Sequence, residues 1–380
     1  MTDFNKMAAE ARGWLLNSAI PLWLERGVDW KGYGYHESLS LDTVECSTAF
    51  KRLRVTTRQI YVFAAATRMG VTDARAALDH GLDFLLDKAR HPDGGFASRF
   101  DLAGNIIDPT RDLYDLAFCL FAFAHAYSIR RDQALRDEAR KLATFIATRM
   151  HHPHGGFHEA LPISNNRRQN PHMHLLEAAL EWRRLDDAAI FRDLCDEIIA
   201  LFEQRFFSAP HGALIEHFDD TLVPAAGDLG RITEPGHHFE WIWLLDRYET
   251  EDSRRDQTRD LLYQFAITHG LDGSSGRLYG EVLTDGVVQT REARVWPHTE
   301  WLKAELVLPY DDKVERVSKA WRALRAFLAS PVEGLWHERW LPHEGRFSHE
   351  PAPASSLYHL TLAIECFAEV AERDGVKCSD

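Results

Sequence analysis

The chain has 380 residues, 45% of them hydrophobic, which is enough for a large core and, on length alone, for one or two domains. Its 44 basic and 58 acidic residues leave a net charge of −14, which argues against nucleic acid or an anionic membrane as partner. Five scattered cysteines, Cys46, Cys119, Cys195, Cys366 and Cys378, contain no C-x-x-C pair, so neither a disulfide framework nor a zinc ribbon is expected, and a reducing cytoplasm is. The opening MTDFNKMAAEARGWLL mixes acids and bases in a helical pattern and lacks a basic-then-apolar signal sequence. No apolar run approaches the roughly 18 residues of a membrane span.

Apolar residues at helical spacing mark about twelve segments, roughly 4–26, 47–69, 73–90, 112–129, 132–150, 171–185, 187–207, 234–249, 252–269, 296–309, 312–329 and 354–373. Gaps after even-numbered segments are short, as at Val71-Thr72 and Leu185-Asp186, and those after odd-numbered segments are long. Short turns force antiparallel neighbours, so every long loop and the N-terminus of every even helix are expected at one end. Five long gaps carry a related turn: Gly94-Gly95-Phe96, Gly155-Gly156-Phe157, His211-Gly212-Ala213, Ser275-Gly276-Arg277 and Gly334-Leu335-Trp336. They start 61, 56, 64 and 59 residues apart, the mark of a degenerate repeat of helix pairs. The expected fold is all-α, an (α/α)6 barrel with the even helices inside and short β-hairpins in the long loops, for example within 212–220 and 277–286. No linker or composition shift divides the chain, so residues 1–380 are expected to form a single catalytic domain.

Histidines and aromatics gather where the even helices begin. The starts read Asn170-Pro-His172-Met-His174-Leu-Leu-Glu177, Glu234-Pro-Gly-His237-His238-Phe-Glu240-Trp241, Trp296-Pro-His298-Thr-Glu300-Trp301 and Ser355-Ser-Leu-Tyr358-His359. Proline suits a first helical turn, and free N–H groups there suit polar ligands. His237 and Glu240, three apart, share a face, whereas His172 and His174, about 200° apart, do not; His174 is preferred because Glu177 follows on its stripe. Arg58 and Tyr114 add a residue from each remaining even helix. Alone, each histidine reads more simply as a cap, Arg58 as a tie for a carboxylate such as Glu240, and Trp241 and Trp301 as core. His151, His152 and His154 look metal-like but sit in a proline-containing loop without helical spacing, which reads as solvated loop. No HExxH, P-loop, dinucleotide fingerprint or G-x-S-x-G elbow is present, so the expected chemistry is proton transfer in a pocket suited to a polyhydroxylated ligand.

These residues resemble the N-acylglucosamine 2-epimerase superfamily over nearly the whole length. The carriers are Thr57-Arg58-Gln59, Asn170-x3-His174-x2-Glu177, Pro235-Gly-His237-x2-Glu240-Trp241, Trp296-x3-Glu300 and Tyr358-His359. The resemblance implies an (α/α)6 barrel and metal-free proton transfer at an aldose, with His237 and His359 as the acid/base pair. It also implies that Arg58, Tyr114, Asn170, His174, Glu240, Trp296 and Glu300 bind and orient the sugar. No cofactor is expected, because a glycine-rich nucleotide site is not evident. The expected activity is an aldose–ketose isomerase interconverting mannose and fructose. A 2-epimerase is the nearest alternative, and an inverting glycosidase using Glu240 with Glu300 or Asp115 is a remoter one. A small monosaccharide is the expected partner, and homo-oligomerisation stays open.

Overall fold

The computed structural model describes residues 3–165, 167–248 and 253–377; positions 249 and 252, which bound two expected helices, and Cys378 lie outside the described residues. Twelve long helices are present among them. They are α1 (Asp3–Trp14, continued to Gly27 largely in π-helical turns), α2 (Leu53–Arg68), α3 (Ala74–Asp87), α4 (Leu113–Arg130), α5 (Gln133–Arg149), α6 (Gln169–Leu185), α7 (Ala189–Leu201), α8 (Pro235–Tyr248), α9 (Ser253–Gly270), α10 (Val295–Val307), α11 (Lys313–Leu328) and α12 (Ala354–Lys377). No described helix is long and apolar enough to cross a membrane.

The helices fall into two compact units. In the first, residues 28–37 and 47–233, α2 packs on α4 and α4 on α6, while α3, α5 and α7 each back one of them. In the second, residues 1–27, 38–46 and 234–380, α8 packs on α10 and α10 on α12, backed by α9, α11 and α1. Burial follows the sequence. Every residue of α2 from Val55 to Ala66 and of α10 from Val295 to Leu306 is buried, the signature of an inner helix. By contrast α3 buries a stripe, Ala74, Ala77, Leu78, Gly81, Leu82 and Leu85 with Phe84 beside it, at helical spacing.

Two repeated devices hold the inner helices. The turn glycines adopt positive φ in six places, Gly34, Gly95, Gly156, Gly212, Gly276 and Gly334, so the copy at Gly34-Tyr35 joins the five visible in the sequence. At Gly156 the need is double: φ is +66°, and a Cβ would lie 2.8 Å from His172 Nε2. Just beyond these turns, a carbonyl caps the preceding inner helix. Leu53 N–H donates to Ser98 O (2.9 Å), Leu113 to Glu159 (2.8 Å), Gln169 to Glu216 (3.2 Å) and Val295 to Glu338 (3.0 Å). Four of the long loops thereby fix the start of the inner helix before them.

The loops differ from expectation in two respects. The second helix begins at Leu53 rather than 47, because Phe50–Arg52 pairs antiparallel with Arg99–Asp101. His217–Phe218 folds back within its own loop through the Phe218–Pro224 bridge but also pairs with Arg167–Arg168 of the preceding long loop, and Arg111–Asp112 likewise pairs with Ala160–Leu161 of the following one. True hairpins form at Leu271–Asp272 with Arg277–Leu278 and at Glu281–Leu283 with Val288–Thr290.

Candidate active site

When the six inner helices are counted from their first residue, the sixth positions are Arg58, Phe118, His174, Glu240, Glu300 and His359. All but Phe118 were candidates from sequence. The second positions include Tyr114, Asn170 and Trp296, and the fourth positions include His172, His238 and His298. One register therefore separates groups of different duty.

The fourth-position histidines are structural. His172 Nδ1 bonds Arg168 O at 3.0 Å while its Nε2 accepts from Phe157 N–H at 3.1 Å. His298 repeats this with Arg294 O at 2.7 Å and Leu278 N–H at 3.1 Å. An imidazole that accepts at Nε2 must be neutral, and burial pushes both down to about 4. His238 bonds Glu234 O at 2.9 Å in the same way.

In the first unit, Arg58, Tyr114 and His174 come together. An Arg58 Nη bonds the Tyr114 hydroxyl, and the guanidinium lies 4.2 Å from the Phe118 ring centre. The His174 ring meets Tyr114 edge-on at 4.8 Å and Phe118 at 4.7 Å, and its Nδ1 is 3.1 Å from Glu177 Oε2. Asn170 is half-buried in the first turn of α6. Asp115 is tied to Arg54 at 2.8 Å; burial raises its carboxyl to about 6, with Arg54 opposing the rise and Asp112 adding to it.

In the second unit, Trp296 packs against two histidines, with ring centres 4.9 Å from His237 and 5.7 Å from His359. The indole seats on Gly236, where a Cβ would come within 2.6 Å of it. His359 Nδ1 bonds Glu300 Oε1 at 2.8 Å, and Glu300 Oε2 is 2.6 Å from Lys303 Nζ. Burial alone would raise the Glu300 carboxyl, but the Lys303 ammonium and the His359 hydrogen bond hold it at about 2. Lys303 also stands 4.0 Å from the Trp243 ring centre. His237 Nδ1 faces Glu234 Oε1 at 3.8 Å, a carboxylate one turn before it, and Glu240 is buried one turn after it. Trp241 and Trp301 are core, as the sequence suggested.

Phe118 and Lys303 were missed in the sequence. Aligning the inner helices by their starts would have found Phe118, but a lysine among apolar neighbours has no signature of burial. The histidine loop is also different from expectation. His151 and His154 are exposed, but His152 is buried, bonded to Asp220 at 3.1 Å and Arg167 at 3.1 Å.

The N-acylglucosamine 2-epimerase (GlcNAc 2-epimerase) family pattern matches residues 34–363. The chain belongs to this family. A mannose-6-phosphate isomerase of Rhizobium meliloti (strain 1021) is 37% identical over 379 residues, covering 95% of this chain and 97% of that protein. A D-mannose isomerase of Thermobifida fusca is 26% identical, with 76% of this chain and 77% of that protein covered. The structure of cellobiose 2-epimerase from Spirochaeta thermophila DSM 6192 superposes with a TM-score of 0.87 at 20% identity, covering 97% of this chain and 98% of that one. The fold is the (α/α)6 barrel expected from the helix pattern, and this family member is an enzyme.

Proposed function

We propose that this enzyme is an aldose–ketose isomerase that interconverts D-mannose and D-fructose through a cis-enediol, with His237 and His359 as a metal-independent acid/base pair. The observation that carries the reading is that these two histidines pack against the same Trp296 ring, with His359 bonded to the buried Glu300. An open-chain aldose must lose the C2 proton beside its carbonyl. Imidazole, with an ordinary pKa near 6.5, can take that proton at neutral pH and return it. With Glu300 accepting Nδ1–H, His359 presents Nε2 as the basic nitrogen. Return of the proton to C1 gives the ketose; return to the opposite face of C2 gives the epimer.

Arg58, Tyr114, Asn170 and His174 are assigned to binding the sugar, with Arg58 suited to charge developing on enediolate oxygens. Glu240 is assigned to a sugar hydroxyl, and Trp296 to an apolar sugar face. Glu300 is reassigned from binding to orienting His359, because its side chain is fully buried and both its oxygens have close partners. The Lys303 ammonium beside Glu300 favours its ionised form, which does not suit it to be the acid of a glycosidase pair.

A neutral sugar is favoured over a phosphorylated one. Arg52, Arg54, Arg168 and Arg294, at or beside helix starts, already hold Glu37, Asp115, Glu159 and Glu338 at 2.5–3.0 Å. The name of the Rhizobium meliloti relative makes the 6-phosphate the sharpest competitor. Turnover of mannose, mannose 6-phosphate, N-acetylmannosamine and cellobiose, assayed side by side, tests the assignment. Fructose from free mannose at the highest kcat/KM supports it; preference for the 6-phosphate, or glucose as the product, overturns it. We further assign the enzyme to the cytoplasm, consistent with free thiols at Cys119, Cys195 and Cys366.

A further inference from the structure

Lys303 is the third charged or titratable group in a line that starts at His359, and its side chain has no exposed surface. A lysine that deep is costly unless its charge is used. It lies on α10 one turn after Glu300, and its carboxylate contact is the oxygen that His359 leaves free. Thr299 Oγ1 adds a 3.2 Å hydrogen bond to the other oxygen, the one His359 uses. From α8, Trp243 offers its ring face to the ammonium, and Arg247 sits 4.7 Å from the same ring centre. From α12, Tyr358 packs on His359, and the half-buried Cys366 thiol, within the electrostatic reach of Lys303, is pushed up to about 12 by desolvation and stays a neutral thiol. His237 and His359 both pack against the Trp296 ring.

We propose that Lys303 is a positioning residue for the reaction: it holds Glu300 as an anion and balances that charge, so that the His359 imidazole stays neutral with its Nε2 lone pair available to the substrate. The inference rests on the acid/base role assigned to His359 above. The physical reason is charge balance in a dry site. With Lys303 present, the ammonium, the carboxylate and a neutral imidazole sum to zero, and protonating His359 leaves a buried net positive charge. With Lys303 replaced by an apolar residue, zero is reached only when His359 is protonated or Glu300 is neutralised. Either state spoils a base. A protonated imidazole has no lone pair, and a neutral Glu300 no longer dictates the tautomer.

The test is K303M, read by NMR of the histidine ring nitrogens, with the His359 signal assigned by its loss in H359Q. The His359 pKa is expected to rise by about 1–3 units, the span that one adjacent charge commonly moves. The acidic limb of the kcat profile should rise with it, while KM changes little. The double variant K303M/E300Q should bring the His359 pKa back down. E300Q alone, with Lys303 left as the nearby charge, should lower it below wild type. An unshifted His359 pKa in K303M overturns the proposal, as does an upward shift in E300Q, which still decides the matter if K303M fails to fold. The ring titration needs no substrate, so it separates failure of this inference from failure of the isomerase reading.

Discussion

The starts of α6 and α10 run in parallel and then diverge. Both place a histidine at the fourth residue, His172 and His298, bonded at each ring nitrogen to backbone. Two residues later come His174 and Glu300, and three beyond those come Glu177 and Lys303. In α6 the site group is an imidazole backed by a carboxylate; in α10 it is a carboxylate backed by an ammonium, with its imidazole supplied by α12. The lesson is that burial does not sort histidines by function. On the proposed roles, what sorts them is whether the ring spends both nitrogens on the backbone or keeps one for chemistry.

The largest effect that sharpens this contrast is at His359. H359Q should lower kcat by about 10²–10⁴-fold with little change in thermal stability, because it removes a proton carrier and keeps the side-chain volume. Full activity in H359Q would erase the distinction between the two classes.

Acidification should act on the other class. His172 and His298 are held neutral in the fold, so the stability they contribute is complete above their ordinary value near 6.5. It declines as pH falls toward about 4, where the folded rings also protonate. The loss across that window is up to about 3 kcal/mol for each ring, measurable as a falling midpoint in denaturant titrations between pH 7 and pH 4.5. An H172L/H298L variant should show a flatter pH dependence.

Smaller effects probe the same turns. Gly156→Ala forces a side chain into a left-handed conformation and against His172, and should cost about 2 kcal/mol in equilibrium unfolding while leaving KM for the sugar unchanged. His298→Leu should cost about 1–2 kcal/mol, because Leu278 N–H loses its acceptor, with kcat within a few-fold of wild type. A loss of kcat comparable to that of H359Q would move His298 into the reactive class.

Much of this was legible in the sequence. The alternation of short and long gaps gave the helix pairing, and His237, His359, His174 and Glu300 were visible because polar residues clustered at equivalent helix starts. His174 was preferred over His172 because Glu177 follows on its stripe, and in the structure His174 bonds Glu177 whereas His172 bonds Arg168 O. The rest required contacts between distant segments. The late start of α2 at Leu53 is set by the pairing of Phe50–Arg52 with Arg99–Asp101, not by local propensity. Lys303 and Phe118 lie on helices buried on all sides, where no polar stripe marks which face carries the site. The copy at Gly34 was hidden because its turn, Gly32-Tyr33-Gly34-Tyr35, lies in the loop after α1, ahead of the other five.

The central claim, histidine-mediated proton transfer at C2 of an aldose, is tested most directly by a proton NMR time course of the EDTA-treated enzyme with mannose in D2O. The account predicts fructose carrying solvent deuterium, formed at the same rate with and without chelator, and neither product nor exchange in H359Q. Absence of product and of exchange with mannose, its 6-phosphate and N-acetylmannosamine alike, or full activity in H359Q, would contradict it.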